Sequence, residues 1–261
     1  MGLHNLGKIF EPESVAVIGA GPRQGTIGFA LMKNLRDGGY EGRIIPVNPK
    51  YSEIMGMKCY ESLSEVDQRA DLAVIATPIS TVPEIVKQCT TTDVGGAVII
   101  SAGGRETGKQ GRKMEEKIER EARSKGLRII GPNCMGIIRP DRNLNASFAA
   151  HMPPQGELAF ISQSGAICSA MLDFSLKENM GFRYFVSIGS MLDVDFGDLI
   201  DYLGTDSEVK SILLYIESLR HFRKFMSAAR AVSRIAHCDN QVGERRGRSQ
   251  GGRLAHGGHG R

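Results

Sequence analysis

Between residue 14 and about residue 235, short apolar β-branched runs alternate with helical stretches, and this alternation constrains the fold more than any other feature of the chain. Ser14–Ile18, Arg43–Val47, Asp71–Ala76, Gly96–Ile100 and Leu127–Ile130 read as buried strands, with helices over Gly28–Leu35, Thr81–Cys89 and Glu106–Ser124. Apolar strands joined by helices imply a parallel sheet covered on both faces, because each crossover lays its helix on the sheet. A second set follows, with strands at Glu157–Ile161, Phe182–Ile188 and Val209–Ile216 and helices at Ala166–Lys177, Phe196–Leu203 and Arg220–Ile235. The expected class is α/β, with a doubly wound domain over 1–138, a polar, proline-bearing linker over 139–156, a second domain over 157–235 and a tail over 236–261. The second pattern ends on a helix that leads to no strand, so that domain reads as truncated.

A chain of 261 residues, 41% hydrophobic, has enough apolar material for two cores. No run approaches the ~20 apolar residues of a membrane span, and Met1–Asn5 lacks the charged-then-apolar layout of a signal peptide, so the expected location is cytoplasmic, without a membrane partner. The cysteines at 59, 89, 134, 168 and 238 include no C-x-x-C pair and no histidine at zinc spacing, which predicts free thiols and no metal site. The net charge of +4 sits mostly in the tail, where five arginines against Asp239 and Glu244 give +3 and leave +1 for the rest. That balance argues against a nucleic acid as partner of the folded part.

The segment from Val17 to Gly28 runs from a strand into a helix through Gly19, Gly21, Arg23, Gln24 and Gly25. Glycines there let the backbone turn tightly and bring amides at the helix N-terminus close to a phosphate. A dinucleotide fingerprint needs a glycine at position 24 and an acidic residue at the end of the second strand; the chain has Gln24 and Asn48-Pro49-Lys50. Lysine at that strand end suits a nucleotide with a phosphate near its ribose, as in coenzyme A.

These motifs resemble those of the NDP-forming acyl-CoA synthetases, which include ADP-forming acetate–CoA ligase and have succinyl-CoA synthetase α subunits as distant relatives. The resemblance covers residues 5 to 235 and also rests on Ala76-Thr77-Pro78, on Ser101-Ala102-Gly103-Gly104-Arg105-Glu106-Thr107-Gly108, on Gly131-Pro132-Asn133-Cys134-Met135-Gly136 and on Ser162-Gln163-Ser164-Gly165-Ala166. Two positions depart from the family pattern, Gly104 where an aromatic is usual and Ser190 where asparagine is usual. The resemblance implies a Rossmann-like CoA-binding domain followed by a flavodoxin-like domain of succinyl-CoA-synthetase type. It also implies conversion of acyl-CoA, ADP and phosphate to acid, CoA and ATP through an acyl phosphate and a phosphohistidine.

On this resemblance Gly19, Gly21, Arg23, Gln24, Gly25, Lys50, Thr77, Pro78, Ser101, Ala102, Gly103 and Asn133 are expected to hold coenzyme A or its acyl thioester. Ser162, Ser164, Gly165 and Ala166 are expected to hold phosphate at a helix N-terminus. Glu217, at the end of a strand, is expected to orient the catalytic histidine. Cys134 reads as a buried small hydrophobe rather than a nucleophile, and the isolated His151 and His221 read as structural or surface histidines rather than phosphoryl carriers. No G-x-x-x-x-G-K-[ST] occurs in the chain, so ADP or ATP and magnesium are assigned to a separate ATP-grasp subunit or domain, in a protein expected to be oligomeric. A stand-alone CoA-binding regulator and an NAD-linked oxidoreductase remain the alternatives.

The tail carries seven glycines, five arginines and three histidines, with no strand-like run. The resemblance calls here for K-P-I-V-x-I-K-S-G and, further on, S-H-T-G with the phosphoryl-accepting histidine. Read one base later from Ala236, the codon table allows those motifs in register. The tail is therefore expected to be frame-shifted, disordered and without that histidine.

Overall fold

The computed structural model describes residues 6–233, so the expectations for the tail fall outside the described residues. In chain order the first part runs α1 (Leu6–Phe10), β1 (Ser14–Ile18), α2 (Ile27–Asp37) and β2 (Arg43–Val47), then a small hairpin of β3 (Glu53–Ile54) and β4 (Met57–Lys58). It continues with β5 (Leu72–Ile75), α3 (Val82–Thr91), β6 (Gly96–Ile99), α4 (Lys109–Arg123) and β7 (Arg128–Ile130). Strands β2-β1-β5-β6-β7 form one parallel sheet in that order. Alternate residues point to opposite faces, and both faces are covered. Val15, Val17, Leu72, Val74 and Val98 share a buried cluster with Leu31, Met32 and Leu35 of α2. Ala16, Ile18, Ala73, Ile75, Ala97 and Ile99 share another with Val82 and Val86 of α3 and Ile118 and Ala122 of α4. The strand order reverses between β1 and β5, which opens a crevice beyond their carboxyl ends.

The second part comprises β8 (Gly136–Arg139), β9 (Leu144–Ser147), β10 (Gln155–Ser162), α5 (Gly165–Lys177), β11 (Phe182–Ser187), α6 (Phe196–Leu203), β12 (Ser211–Tyr215) and α7 (222–233). Its sheet has the order β12-β10-β11-β8-β9. β10, β11 and β12 are parallel, while β8 runs antiparallel to β11 and to β9. At the edge of the described sheet, β12 leaves Leu213 and Tyr215 exposed.

The segment expected as a linker is corrected by this topology. Arg139, Leu144–Ser147 and residues 155–156 belong to the second sheet, as the end of β8, all of β9 and the start of β10. Three of the segment's polar residues, Arg139, Asn145 and Ser147, are buried inside the fold, while Arg142, Asn143, His151 and Gln155 face water. Arg139 is fully buried, bonds Asp141 through Nε at 2.9 Å and Nη2 at 2.8 Å, and lies 3.9 Å over the Tyr184 ring. Ser147 Oγ and Asn145 Oδ1, both buried, are 2.5 Å apart. The β8–β9 hairpin also fastens the two sheets together. Asn34 of α2 donates from Nδ2 to the carbonyls of Ser147 and Ala149, each at 2.8 Å. Phe10 of α1 packs against the rings of Tyr184 and Tyr202.

Candidate functional site

Most of the residues singled out in the sequence lie at the carboxyl ends of strands. Gly19 leaves β1 with φ +91°, and a Cβ there would stand 2.7 Å from the Ala76 carbonyl oxygen, so only glycine lets this exit pass beside the Ala76-Thr77-Pro78 turn. Gly28, in the first turn of α2, approaches the Gly19 carbonyl so closely that a Cβ would come within 2.0 Å of it. The close helix-to-strand contact that a dinucleotide loop makes with its third glycine thus falls at position 28, on a longer loop. Pro22 to Ile27 are exposed. Thr26 caps α2, with Oγ1 accepting from the Phe29 amide at 3.3 Å and donating to the Arg23 carbonyl at 2.7 Å.

Lys50 sits beside this loop because Asn48 ties the two segments together. Asn48 Nδ2 donates to the Ala20 carbonyl at 2.7 Å, and its Oδ1 accepts the Lys50 amide at 3.0 Å. The Lys50 ammonium has no ion-pair partner among the described residues, and Lys50 is exposed.

The 101–108 segment is held largely by its own side chains. Glu106 Oε1 accepts the amides of Gly103 at 2.7 Å and Gly104 at 3.1 Å, so the Gly103 N–H expected at a ligand is already used. Buried Glu115 accepts the Arg105 amide at 2.9 Å and its Nε at 2.7 Å. A Cβ on Gly104 would lie 2.3 Å from Glu115 Oε1, which explains why no aromatic side chain fits there while Glu115 holds Arg105. Thr77 Oγ1 accepts from Thr81 at 2.8 Å, and buried Ser101 accepts the Asn133 amide on its carbonyl at 3.0 Å. Asn133 itself is exposed, with φ +55°.

A second group gathers at the ends of β10 and β12. Ser162 is fully buried; its Oγ accepts the Ser164 amide and donates to the Ser164 carbonyl, each at 3.0 Å. Ser164 caps the thirteen-residue α5 by accepting the Ile167 amide at 3.3 Å, while Gly165 and Ala166 are exposed in its first turn. Gln163, given no role in the sequence reading, accepts the amides of Glu217 at 2.6 Å and Ser218 at 2.9 Å on its Oε1. Glu217 is exposed.

The two groups adjoin. The loop after β11 bonds to the end of β7 through Ser190 to the Pro132 carbonyl at 2.9 Å, Leu192 to the Gly131 carbonyl at 2.9 Å and Val194 to the Ile129 carbonyl at 3.1 Å. Ser187 Oγ accepts the Met135 amide at 2.9 Å, and Ser187 is paired with Ser162 in the sheet. This loop is anchored by an ionic network the sequence reading missed. Arg128 Nε meets Asp193 at 2.8 Å and its Nη2 meets Asp198 at 3.2 Å; Lys224 meets Asp195 at 3.0 Å and Asp198 at 2.6 Å. The available signal was Asp195-Phe196-Gly197-Asp198, a D-x-x-D that opens an apolar helix and closes as a reciprocal capping box. Arg220 adds bonds to the Met191 and Leu192 carbonyls.

His221, expected to be a structural or surface histidine, places Nδ1 2.8 Å from Asp195 Oδ2. Cys134 is buried against the Ile99 carbonyl, and burial pushes its thiol up to about 12, so it stays protonated near neutral pH. The four described cysteines are free and buried. No described helix is long and apolar enough to cross a membrane.

A CoA binding domain model matches residues 13–140, and a model of the succinyl-CoA ligase like flavodoxin domain matches residues 155–256. The chain thus joins a domain of the CoA-binding type to a flavodoxin-like domain of the succinyl-CoA ligase type, in that order. It is 42% identical over 97% of its length to the ADP-forming acetate–CoA ligase of Methanocaldococcus jannaschii and covers 36% of that relative. It is 40% identical over 88% of its length to the ADP-forming acetate–CoA ligase II subunit alpha of Pyrococcus furiosus and covers 50% of it. The chain therefore spans a third to a half of the curated relatives it matches. A crystal structure of a Pyrococcus horikoshii OT3 protein superposes with a TM-score of 0.84 at 42% identity, covering 87% of this chain and 52% of that one. The acetyl-coenzyme A synthetase 1 of Ca. Korarchaeum cryptofilum, solved in complex with phosphate and ADP, gives 0.84 at 36% identity, with 87% and 49% covered. The chain belongs to the NDP-forming acyl-CoA synthetase family.

Proposed function

We propose that this chain is the CoA- and phosphate-binding part of an ADP-forming acyl-CoA synthetase, which converts acyl-CoA, ADP and phosphate to acid, CoA and ATP in the cytoplasm. The observation that carries the reading is the junction of two ligand-ready strand ends, the glycine loop with Lys50 on one sheet and the Ser162–Ala166 turn with Glu217 on the other. In this reading the 19–25 loop and the α2 N-terminus take the coenzyme A phosphates, and Lys50 takes the one beside the ribose. The thioester end lies toward Asn133. There phosphate held by the first-turn amides of α5 displaces CoA, and helix-terminus amides stabilise the negative charge that develops. The Glu217 carboxylate is the acceptor for the family's catalytic imidazole, whose other nitrogen takes the phosphoryl group, although this chain does not itself carry that histidine. A separate ATP-grasp subunit or domain supplies the site for ADP and magnesium, and the assembly is oligomeric. The second sheet, with its anion turn, favours this over a stand-alone CoA-binding regulator.

Two measurements test the reading. Lys50→Ala is expected to weaken coenzyme A about tenfold and to leave dephospho-coenzyme A nearly unchanged, as for loss of one charge-assisted bond to phosphate. Equal losses for both ligands in calorimetry would remove Lys50 from the ribose phosphate. The phosphoryl-accepting histidine is, in our reading, missing from the chain, because His256 and His259 have only glycine-rich neighbours and no S-H-T-G occurs. Given an ATP-grasp partner, acyl-CoA and labelled phosphate, the chain is therefore expected to acquire no acid-labile label on histidine. Stoichiometric labelling would refute this point.

A further inference from the structure

We propose that Gln163 is a positioning residue that couples an anion at the N-terminus of α5 to the turn that carries Glu217. The inference deepens the proposed function and rests on its assignment of phosphate to Ser162–Ala166. Gln163 lies between the two serines of that turn, and its half-buried side chain points across to the end of β12. Its Oε1 accepts two successive amides, those of Glu217 at 2.6 Å and Ser218 at 2.9 Å, while its Nε2 lies 3.2 Å from Ser218 Oγ. Its own amide donates to the Tyr215 carbonyl at 3.2 Å. One residue thus supplies four bonds to the 215–218 segment. On its other side, the Ser162 hydroxyl and the Ser164 backbone close the turn that presents the Gly165 and Ala166 amides.

The chemistry of the side chain fits that task. A carboxamide offers an acceptor for two N–H groups and a donor for a hydroxyl without adding charge. Neutrality matters because Glu217 and phosphate already place two anionic groups at one site, and a third would raise the cost of binding the anion. Asparagine has the same chemistry but is one methylene shorter and cannot span the gap. Glutamate has the length and the acceptor but lacks the donor and carries charge. Movement of the backbone at 163–166 on anion binding is therefore passed directly to the amides that fix Glu217.

The test uses the full chain, labelled with 15N and titrated with inorganic phosphate. In the wild type the amides of Gly165, Ala166, Glu217 and Ser218 are expected to shift with one dissociation constant. In Gln163→Asn the first pair still shifts and the second does not, and exchange of the Glu217 and Ser218 amides becomes about tenfold faster, as for loss of hydrogen bonds to both. Gln163→Glu keeps the acceptor and is expected to restore slow exchange, a rescue that general loosening of the loop would not give. Glu217 and Ser218 shifts that follow phosphate unchanged in Gln163→Asn would overturn the coupling while leaving the phosphate site standing. Silence of Gly165 and Ala166 in the wild type would overturn the phosphate assignment and the inference with it.

Discussion

Gly19→Val is expected to abolish coenzyme A binding and to destabilise the fold by about 3–5 kcal/mol, the sum of forcing a β-branched residue to positive φ and of overpacking a tight contact. The backbone at this position has φ +91°, and the added Cβ would stand 2.7 Å from the Ala76 carbonyl oxygen and 3.0 Å from Thr77 Cγ2. Both neighbours belong to the turn after β5, so relief requires parting β1 from β5 at the crevice where the ligand is proposed to lie. Thermal unfolding and calorimetry with coenzyme A together check this. A stable variant that still binds coenzyme A would mean that the loop is not held against the β5 turn. Gly25→Ala provides the contrast. Gly25 also has positive φ, but a Cβ added there would meet no atom within 4 Å, so only the backbone cost of about 1 kcal/mol is expected.

Arg128→Met is expected to cost about 3–5 kcal/mol, the range for removing one partner of a buried ionic cluster. Arg128 is 6% exposed, and burial works against its charge, but hydrogen bonding and attraction from Asp193 and attraction from Asp198 hold its pKa above the ordinary value. Methionine keeps the aliphatic volume and leaves the carboxylates without the guanidinium. The loss should detach the 188–195 loop from β7, where Asp193 Oδ2 also accepts the Ile129 amide at 2.9 Å. Urea unfolding measures the effect, and a change below about 1 kcal/mol, the scale of a surface pair, would place the cluster's strength elsewhere.

The same cluster predicts acid sensitivity. Burial opposes ionisation of Asp195, but the Asp198 amide, His221 and Lys224 together outweigh it and hold the carboxyl below its usual range. A depressed carboxylate adds stability above the unfolded-state pKa near 4 and loses it as pH falls through the lower folded value, so the loss is expected below about pH 4. Asp195→Asn should flatten that limb of the stability profile.

Much of this architecture was legible because strands buried on both faces are short, apolar and β-branched. Ser14–Ile18, Arg43–Val47 and Phe196–Leu203 occur with the bounds read from the sequence. The β8–β9 hairpin was not legible. Polarity at Arg139, Asn145 and Ser147 signals solvent in a sequence, yet each of these side chains is buried and bonded in the fold. Within the site, glycines at strand exits were readable because backbone geometry demands them. The Gln163 bridge to Glu217 and the Arg128 bridge to Asp193 span 54 and 65 residues, and no local pattern records such pairs. Gly104 shows the converse, a departure from the family pattern that became intelligible only once Glu115 was seen to fill the space beside it.

The central claim is that the crevice between β1 and β5 is a coenzyme A site and not a dinucleotide site. Parallel calorimetric titrations of the full chain with coenzyme A and with NAD test it most directly. The account predicts saturable binding of one coenzyme A per chain and no heat of binding with NAD at the same concentrations. Saturable binding of NAD with none of coenzyme A would contradict it.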